Sequence, residues 1–140
     1  MTNINRQKAF TLTEIIVVVI ILGIIATLGV RYYINTMEHA HQRDAIVNLT
    51  AIHSANQVYR ARNGQYWPPA SNQGVNAINT ALKLNIIEDG MTYTCNTGGT
   101  PGQTFACFAD RKPPAALFRV RVTQAPLTAT NPQCVTGACP

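Results

Sequence analysis

Between Phe10 and Val30 the chain carries one charge, Glu14, inside a run that is otherwise almost wholly apolar from Phe10-Thr11-Leu12 through Ile15 to Val30. That run is long enough to cross a bilayer as a helix. A carboxylate at the centre of a membrane costs roughly 2.5–3.5 kcal/mol on insertion scales, and such residues tend to be functional. Glu14 lies near one end of the span, about 6 Å beyond Phe10 at 1.5 Å per residue. Thr11 and Glu14 also stand at the spacing of a capping box, in which the carboxylate reaches back to the helix N-terminus. Spacing alone leaves a capping role and an interaction role equally open.

The preceding segment, Met1 to Ala9, contains Arg6 and Lys8 and no acid. A positive flank of this kind stays in the cytoplasm, so the C-terminal bulk is expected across the membrane. An ordinary secretory signal has the same basic-then-apolar order but needs small residues after the apolar stretch. Here Arg31-Tyr32-Tyr33 follow Val30, which disfavours that cut.

The stretch Lys8-Ala9-Phe10-Thr11-Leu12-Thr13-Glu14, with the apolar run containing Gly23, resembles the type IV pilin and type II secretion pseudopilin superfamily. The resemblance covers about a quarter of the chain. It implies that a prepilin peptidase cuts between Ala9 and Phe10 and methylates the new Phe10 amine. It implies that Glu14 pairs with the N-terminal amine of a neighbouring subunit during filament assembly; in low dielectric an ammonium offsets much of a carboxylate's burial cost. The implied partners are further copies of the chain in a helical filament, the peptidase-methylase, an inner-membrane assembly platform, and the lipid bilayer before assembly. With the leader pattern present, assembly becomes the favoured role of Glu14, and it is compatible with capping. Two positions depart from the family pattern: Ala9 stands where the family usually has Gly, and Arg31 where it often has Pro. The second removes a proline kink, although Gly23 and Gly29 soften a helix.

Three segments follow: a leader, 1–9; a membrane and assembly half-helix, 10–30; and a periplasmic or extracellular domain, 31–140. The last has 110 residues, enough for one small core. The net charge of +5 includes Arg6 and Lys8 of the leader. The remaining basic residues are scattered, as in Arg60/Arg62, Arg111-Lys112 and Arg119/Arg121, so nucleic acid is not expected as a main partner.

From Arg31 to Asn63 no proline or glycine intervenes, and Ile34, Met37, Ala45, Leu49, Ile52 and Tyr59 recur at helical spacings. Val47, Ala51, Ala55 and Val58 broaden that face. Asn63-Gly64 is a helix stop, with Arg60 and Arg62 in the last turn. The expectation is one helix of roughly 50 residues, apolar all round in its first half and amphipathic in its second. A turn at Tyr66-Trp67-Pro68-Pro69 leads to a short helix, Val75 to Leu84. Trp67 is expected in the core. Strands are expected at Met91–Asn96, Gln103–Ala109 and Leu117–Gln124, with Gly98-Gly99 and Pro113-Pro114 as turns. Ala125 to Pro140 reads as an irregular loop. The fold class is thus α+β and pilin-like, a long N-terminal helix packed on a small antiparallel sheet.

Cys95, Cys107, Cys134 and Cys139 all fall in the exported part, where an even count reads as two disulfides. Three pairings are possible; the local one, Cys95–Cys107 with Cys134–Cys139, is preferred. His39, His41 and His53 are not spaced as a helical metal pair, and no metal or cofactor is expected. The Asn48-Leu49-Thr50 sequon sits mid-helix and reads as a chance match. No nucleophile, base or phosphate loop is evident, so an enzyme is not expected.

Three functions fit. The first and preferred is a type IV pilus subunit, favoured by the cysteine-rich end. The second is a type II secretion pseudopilin: Gln73-Gly74-Val75 resembles the loop of major pseudopilins, but the resemblance fades after Leu84 and no acidic loop suits that subfamily's calcium site. The third is a monomeric, membrane-anchored periplasmic binding domain. The filament readings place the chain in the inner membrane, N-terminus inside, and then in a surface pilus or a periplasmic pseudopilus.

Overall fold

The computed structural model describes residues 10–68, 70–113 and 118–137. The leader 1–9, with its cut at Ala9, and Cys139 lie outside the described residues. The chain divides into two units, Met1–Thr36 and Met37–Pro140.

One helix, α1, runs from Leu12 to Asn63. Within the first unit no described residue covers its apolar side chains: Ile15 to Ile25 are about half exposed on every side of the helix. It is long and apolar enough to cross a membrane. A stripe facing a core would show buried and exposed positions alternating with helical period; here no such alternation exists.

In the second unit α1 turns one face to a core. Ala45, Leu49 and Ile52 are fully buried at spacings of three and four. The expected stripe is narrower than its sequence pattern. Val47 and Val58 remain 66% and 52% exposed, because the inward positions between and beyond the aliphatic residues go to His53 and Asn56 instead. Gly64, at φ +76°, ends the helix, and its N–H donates to the Arg60 carbonyl.

A second helix, α2 (Val75–Leu82), buries Ile78 and Leu82. It stops two residues earlier than expected because Lys83 takes the left-handed conformation. Five strands follow one another in a meander: β1 (Gln73–Gly74), β2 (Met91–Asn96), β3 (Ala106–Arg111), β4 (Phe118–Thr123) and β5 (Gln133–Gly137), every neighbour antiparallel. β2 matches its expected bounds. β3 begins at Ala106 instead of Gln103, since the Gln103 and Thr104 N–H groups turn back to the Thr100 carbonyl. β5 corrects the reading of the tail as irregular: Gln133 to Gly137 adds a strand beside β4.

The buried face of the sheet is Met91, Tyr93 and Cys95 from β2, Cys107 and Ala109 from β3, and Phe118, Val120 and Val122 from β4. With Ala45, Leu49, Ile52, Ile78, Leu82, Phe105, Tyr66 and Trp67 they make one core. Trp67 is in that core, as expected.

Three asparagines hold the segments that have no ladder of their own. The Asn56 amide donates to the Trp67 carbonyl and its oxygen accepts from the Trp67 N–H. Asn79 does the same to both backbone groups of Ile86. Asn131 accepts from the Thr123 N–H and donates to the Ala125 carbonyl. Buried backbone polar groups need partners, and a side-chain amide offers a donor and an acceptor at peptide spacing.

Candidate assembly site

At the start of α1, Glu14 closes the capping box that its spacing allows. Its Oε2 accepts from the Thr11 N–H and the Thr11 hydroxyl, both at 2.9 Å, while the Glu14 N–H donates to Thr11 Oγ1 at 3.3 Å. The other carboxylate oxygen accepts no hydrogen bond among the described residues. Phe10 is 81% exposed, and Phe10, Thr11, Thr13, Glu14, Val17 and Val18 line a shallow depression at this end. The turn therefore presents an aromatic ring, an apolar flank and one uncommitted carboxylate oxygen. Such a surface can accept a cation from another molecule without unmaking the cap.

Cys95 and Cys107 face each other across β2 and β3 and form a disulfide; both are fully buried. This is the local pairing expected. Cys134 lies in β5 opposite Val120, and its pairing with Cys139 lies outside the described residues. Among the described residues no cluster of His, Cys, Asp and Glu could hold a metal ion.

His53 is only 6% exposed. Its Nε2–H donates to the Ala125 carbonyl at 2.9 Å, and its ring lies 5.9 Å from that of Phe105. Asn48 of the sequon donates to the Tyr93 hydroxyl at 2.8 Å, so its amide is engaged in the fold. Burial pushes the Tyr93 phenol up, against the opposing effect of that bond.

The basic residues read as scattered are in part tied down. Arg111 makes a two-pronged pair with Glu38, at 2.8 and 2.9 Å, and donates to the Gly90 carbonyl. The Arg111 hydrogen bonds hold the Glu38 carboxyl below its ordinary range, and Glu38 in turn raises Arg111. Lys112 pairs with Glu88 at 3.6 Å, and Arg119 pairs with Asp110. Sequence periodicity does not reveal the Glu38–Arg111 pair or the Asn56 clasp. Their partners are brought together only by the tertiary fold; the one available signal was a polar residue on an otherwise apolar stripe, which Asn56 and His53 both are.

Residues 4–30 match the family model described as the prokaryotic N-terminal methylation motif. The chain is 38% identical to the type II secretion system core protein G of Aeromonas hydrophila over 74 residues, 53% of this chain and 50% of that protein. It is 36% identical to the protein of that name from Vibrio cholerae over 80 residues, 57% of this chain and 53% of the relative. The corresponding match in Pseudomonas aeruginosa is 38% over 74 residues, 53% of this chain and 51% of the relative. The chain thus spans about half the length of the relatives it matches. No solved structure gives a significant match. The methylation motif, the kinship with core protein G and a long helix set on a small antiparallel sheet agree: the chain belongs to the type IV pilin and type II secretion pseudopilin superfamily.

Proposed function

We propose that this chain is a pseudopilin, a structural subunit of a type II secretion filament. The observation that carries the proposal is the identity of 36–38% with core protein G over more than half of this chain. The cysteine-rich end had pointed to a surface pilus. It weighs less than the relatives do, because a buried Cys95–Cys107 bridge is a staple for a small exported domain and is indifferent to the filament that domain joins.

In this reading the segment 1–9 is removed between Ala9 and Phe10 by the prepilin peptidase, which then methylates the Phe10 amine. Residues 10–30 anchor the subunit in the inner membrane, and the part beyond lies in the periplasm. On assembly, Glu14 meets the Phe10 amine of a neighbour in a setting that excludes water, while contacts along Ile15 to Val30 supply cohesion. The free oxygen of Glu14 supports this role: the Thr11 cap occupies only one. A charge costly alone and satisfied by a neighbour sets axial register.

The test has two parts. Mass spectrometry of membrane-extracted protein should show loss of Met1 to Ala9 and gain of one methyl on Phe10. Glu14→Ala should insert and fold normally, since insertion disfavours the charge it removes. It should sharply reduce both assembled filament and secretion of a substrate of the system. Wild-type assembly and secretion in Glu14→Ala would leave only the cap, and a monomeric anchored domain would then be the better account.

A further inference from the structure

The domain beyond Thr36 contains five acidic residues, Glu38, Asp44, Glu88, Asp89 and Asp110. Three are in ion pairs: Glu38 with Arg111, Glu88 with Lys112 and Asp110 with Arg119. Among the described residues the Asp44 and Asp89 carboxylates make no hydrogen bond or ion pair, and both fall in one place. They rim a shallow depression with Val47, Asn48, Ile87 and Tyr93. Val47 is 66% exposed there and Ile87 71%. Singly exposed aliphatic residues are ordinary; two beside a pair of carboxylates that make no direct ion pair form a patch, although Asp89 also feels the charge of Arg111 at longer range. Arg43, next to Asp44 on α1, stands a third of a turn away, as adjacent helical positions do.

A second depression lies farther along α1, where the helix meets the end of α2. Its apolar wall is Ala55, Val58, Ala81 and Leu82, and its charges are Arg62 and Lys83. Both are exposed, and neither side chain makes a hydrogen bond or ion pair among the described residues. Asp44, Val47, Ala51, Ala55, Val58 and Arg62 follow one another at three- and four-residue steps, so a single stripe of α1 joins the two places. It is acidic at one end, basic at the other and apolar between. The ends are roughly 27 Å apart at 1.5 Å per residue.

We infer that these two patches are the two halves of one contact between copies of this chain: Ile87 of one subunit seats against Val58 and Ala81 of the next, with Asp44 and Asp89 facing Arg62 and Lys83. The inference rests on the filament reading above and gives it a second contact outside the membrane half. Opposite charge at the two ends selects the partner's orientation and disfavours like ends meeting. Two different patches offset along one axis make a head-to-tail contact, which propagates as an open filament when the rotation does not close.

The experiment uses the full chain in cells that carry the secretion system, scoring assembled against membrane-held subunit. The acid variant combines Asp44→Lys with Asp89→Lys; the base variant combines Arg62→Glu with Lys83→Glu. Each alone should reduce assembly roughly tenfold, as attraction at two rim pairs becomes repulsion. All four substitutions in one chain should restore it. Co-expressing the acid and base variants should also restore it, because a uniformly basic copy then meets a uniformly acidic one; only a contact between copies behaves so. Unchanged Trp67 emission in each variant certifies the fold. Wild-type assembly in both variants, no rescue by either combination, or a closed pair in place of a filament overturns the contact. If Glu14→Ala still abolishes assembly in those cases, the filament reading stands without it; if wild-type chain forms no filament, both fall together.

Discussion

Asn56→Ala is the substitution with the largest expected effect for its size. The side chain is fully buried and makes two bonds to Trp67, one donated and one accepted. Each neutral bond is worth about 1 kcal/mol net, but truncation also strands the Trp67 N–H and carbonyl, at about 1–3 kcal/mol per buried unsatisfied group. Trp67 is 6% exposed, so water reaches those groups poorly. Partial relaxation of the turn brings the expected loss to about 2–4 kcal/mol. For a domain of this size that lowers the melting temperature by on the order of 10–20 °C. Trp67 is the only tryptophan in the chain, so urea unfolding of detergent-held protein, read by its emission, reports this domain alone. Asn56→Leu separates volume from bonding. It refills the space yet leaves the backbone stranded, and should still cost about 2 kcal/mol or more. Gln57→Ala, one helical position on, loses only a 3.3 Å bond from the Tyr66 hydroxyl and should stay within about 1 kcal/mol. A loss below about 1 kcal/mol in Asn56→Ala, or wild-type stability in Asn56→Leu, would refute the clasp as the source of order in this turn.

Three further outcomes follow from the same domain. Replacing both Cys95 and Cys107 by Ala should cost on the order of 2–3 kcal/mol for a loop of this length, and reductant should leave the folded wild-type bridge intact because both sulfurs are buried; rapid reduction under native conditions would contradict this. Glu38→Gln should cost about 1–3 kcal/mol at neutral pH. Because Arg111 holds the folded Glu38 carboxyl below its unfolded value, the wild-type advantage is fully present above the unfolded pKa and is lost as pH falls through the folded one; a difference that grows in acid would be the wrong sign. Gly98→Ala should cost about 2–4 kcal/mol, since φ is +70° and a Cβ would stand 2.8 Å from the Phe105 backbone; urea unfolding measures it.

Much of the fold is legible in the sequence where one rule acts locally. Asn63-Gly64 marks the end of α1, the alternation of Phe118 to Val122 marks β4, and the even cysteine count points to the Cys95–Cys107 bridge. What the sequence leaves out depends on chain segments meeting across the fold. β1 is two residues that count as a strand only because Cys95 and Thr94 lie opposite. β5 has a glycine, threonine and a cysteine in five residues, a pattern too short to separate from loop, and pairing with β4 decides it. Val47 and Val58 look like core by spacing, and are exposed because the sheet covers only the arc centred on Leu49 and Ile52. At the candidate site, the Thr11–Glu14 cap was readable from its spacing. The choice between pilus and pseudopilus was not, because cysteine number reports the redox setting of a domain and carries nothing about the filament it joins.

The order of strands in the sheet has a consequence for how the domain is made. Each strand from β2 to β5 pairs with the strand before it in sequence, and from β2 onward the connections are short, so that part of the sheet can zip up at small entropic cost. The stalk that lies on it is different: Ala45, Leu49 and Ile52 share one core with residues as distant as Phe118, Val120 and Val122. In a chain emerging N-terminus first, that greasy stripe is made early and its cover is made last. The interval between the two is when this protein is most exposed to wrong partners, and a chaperone that shields the stalk should matter more to its yield than one that acts on the sheet.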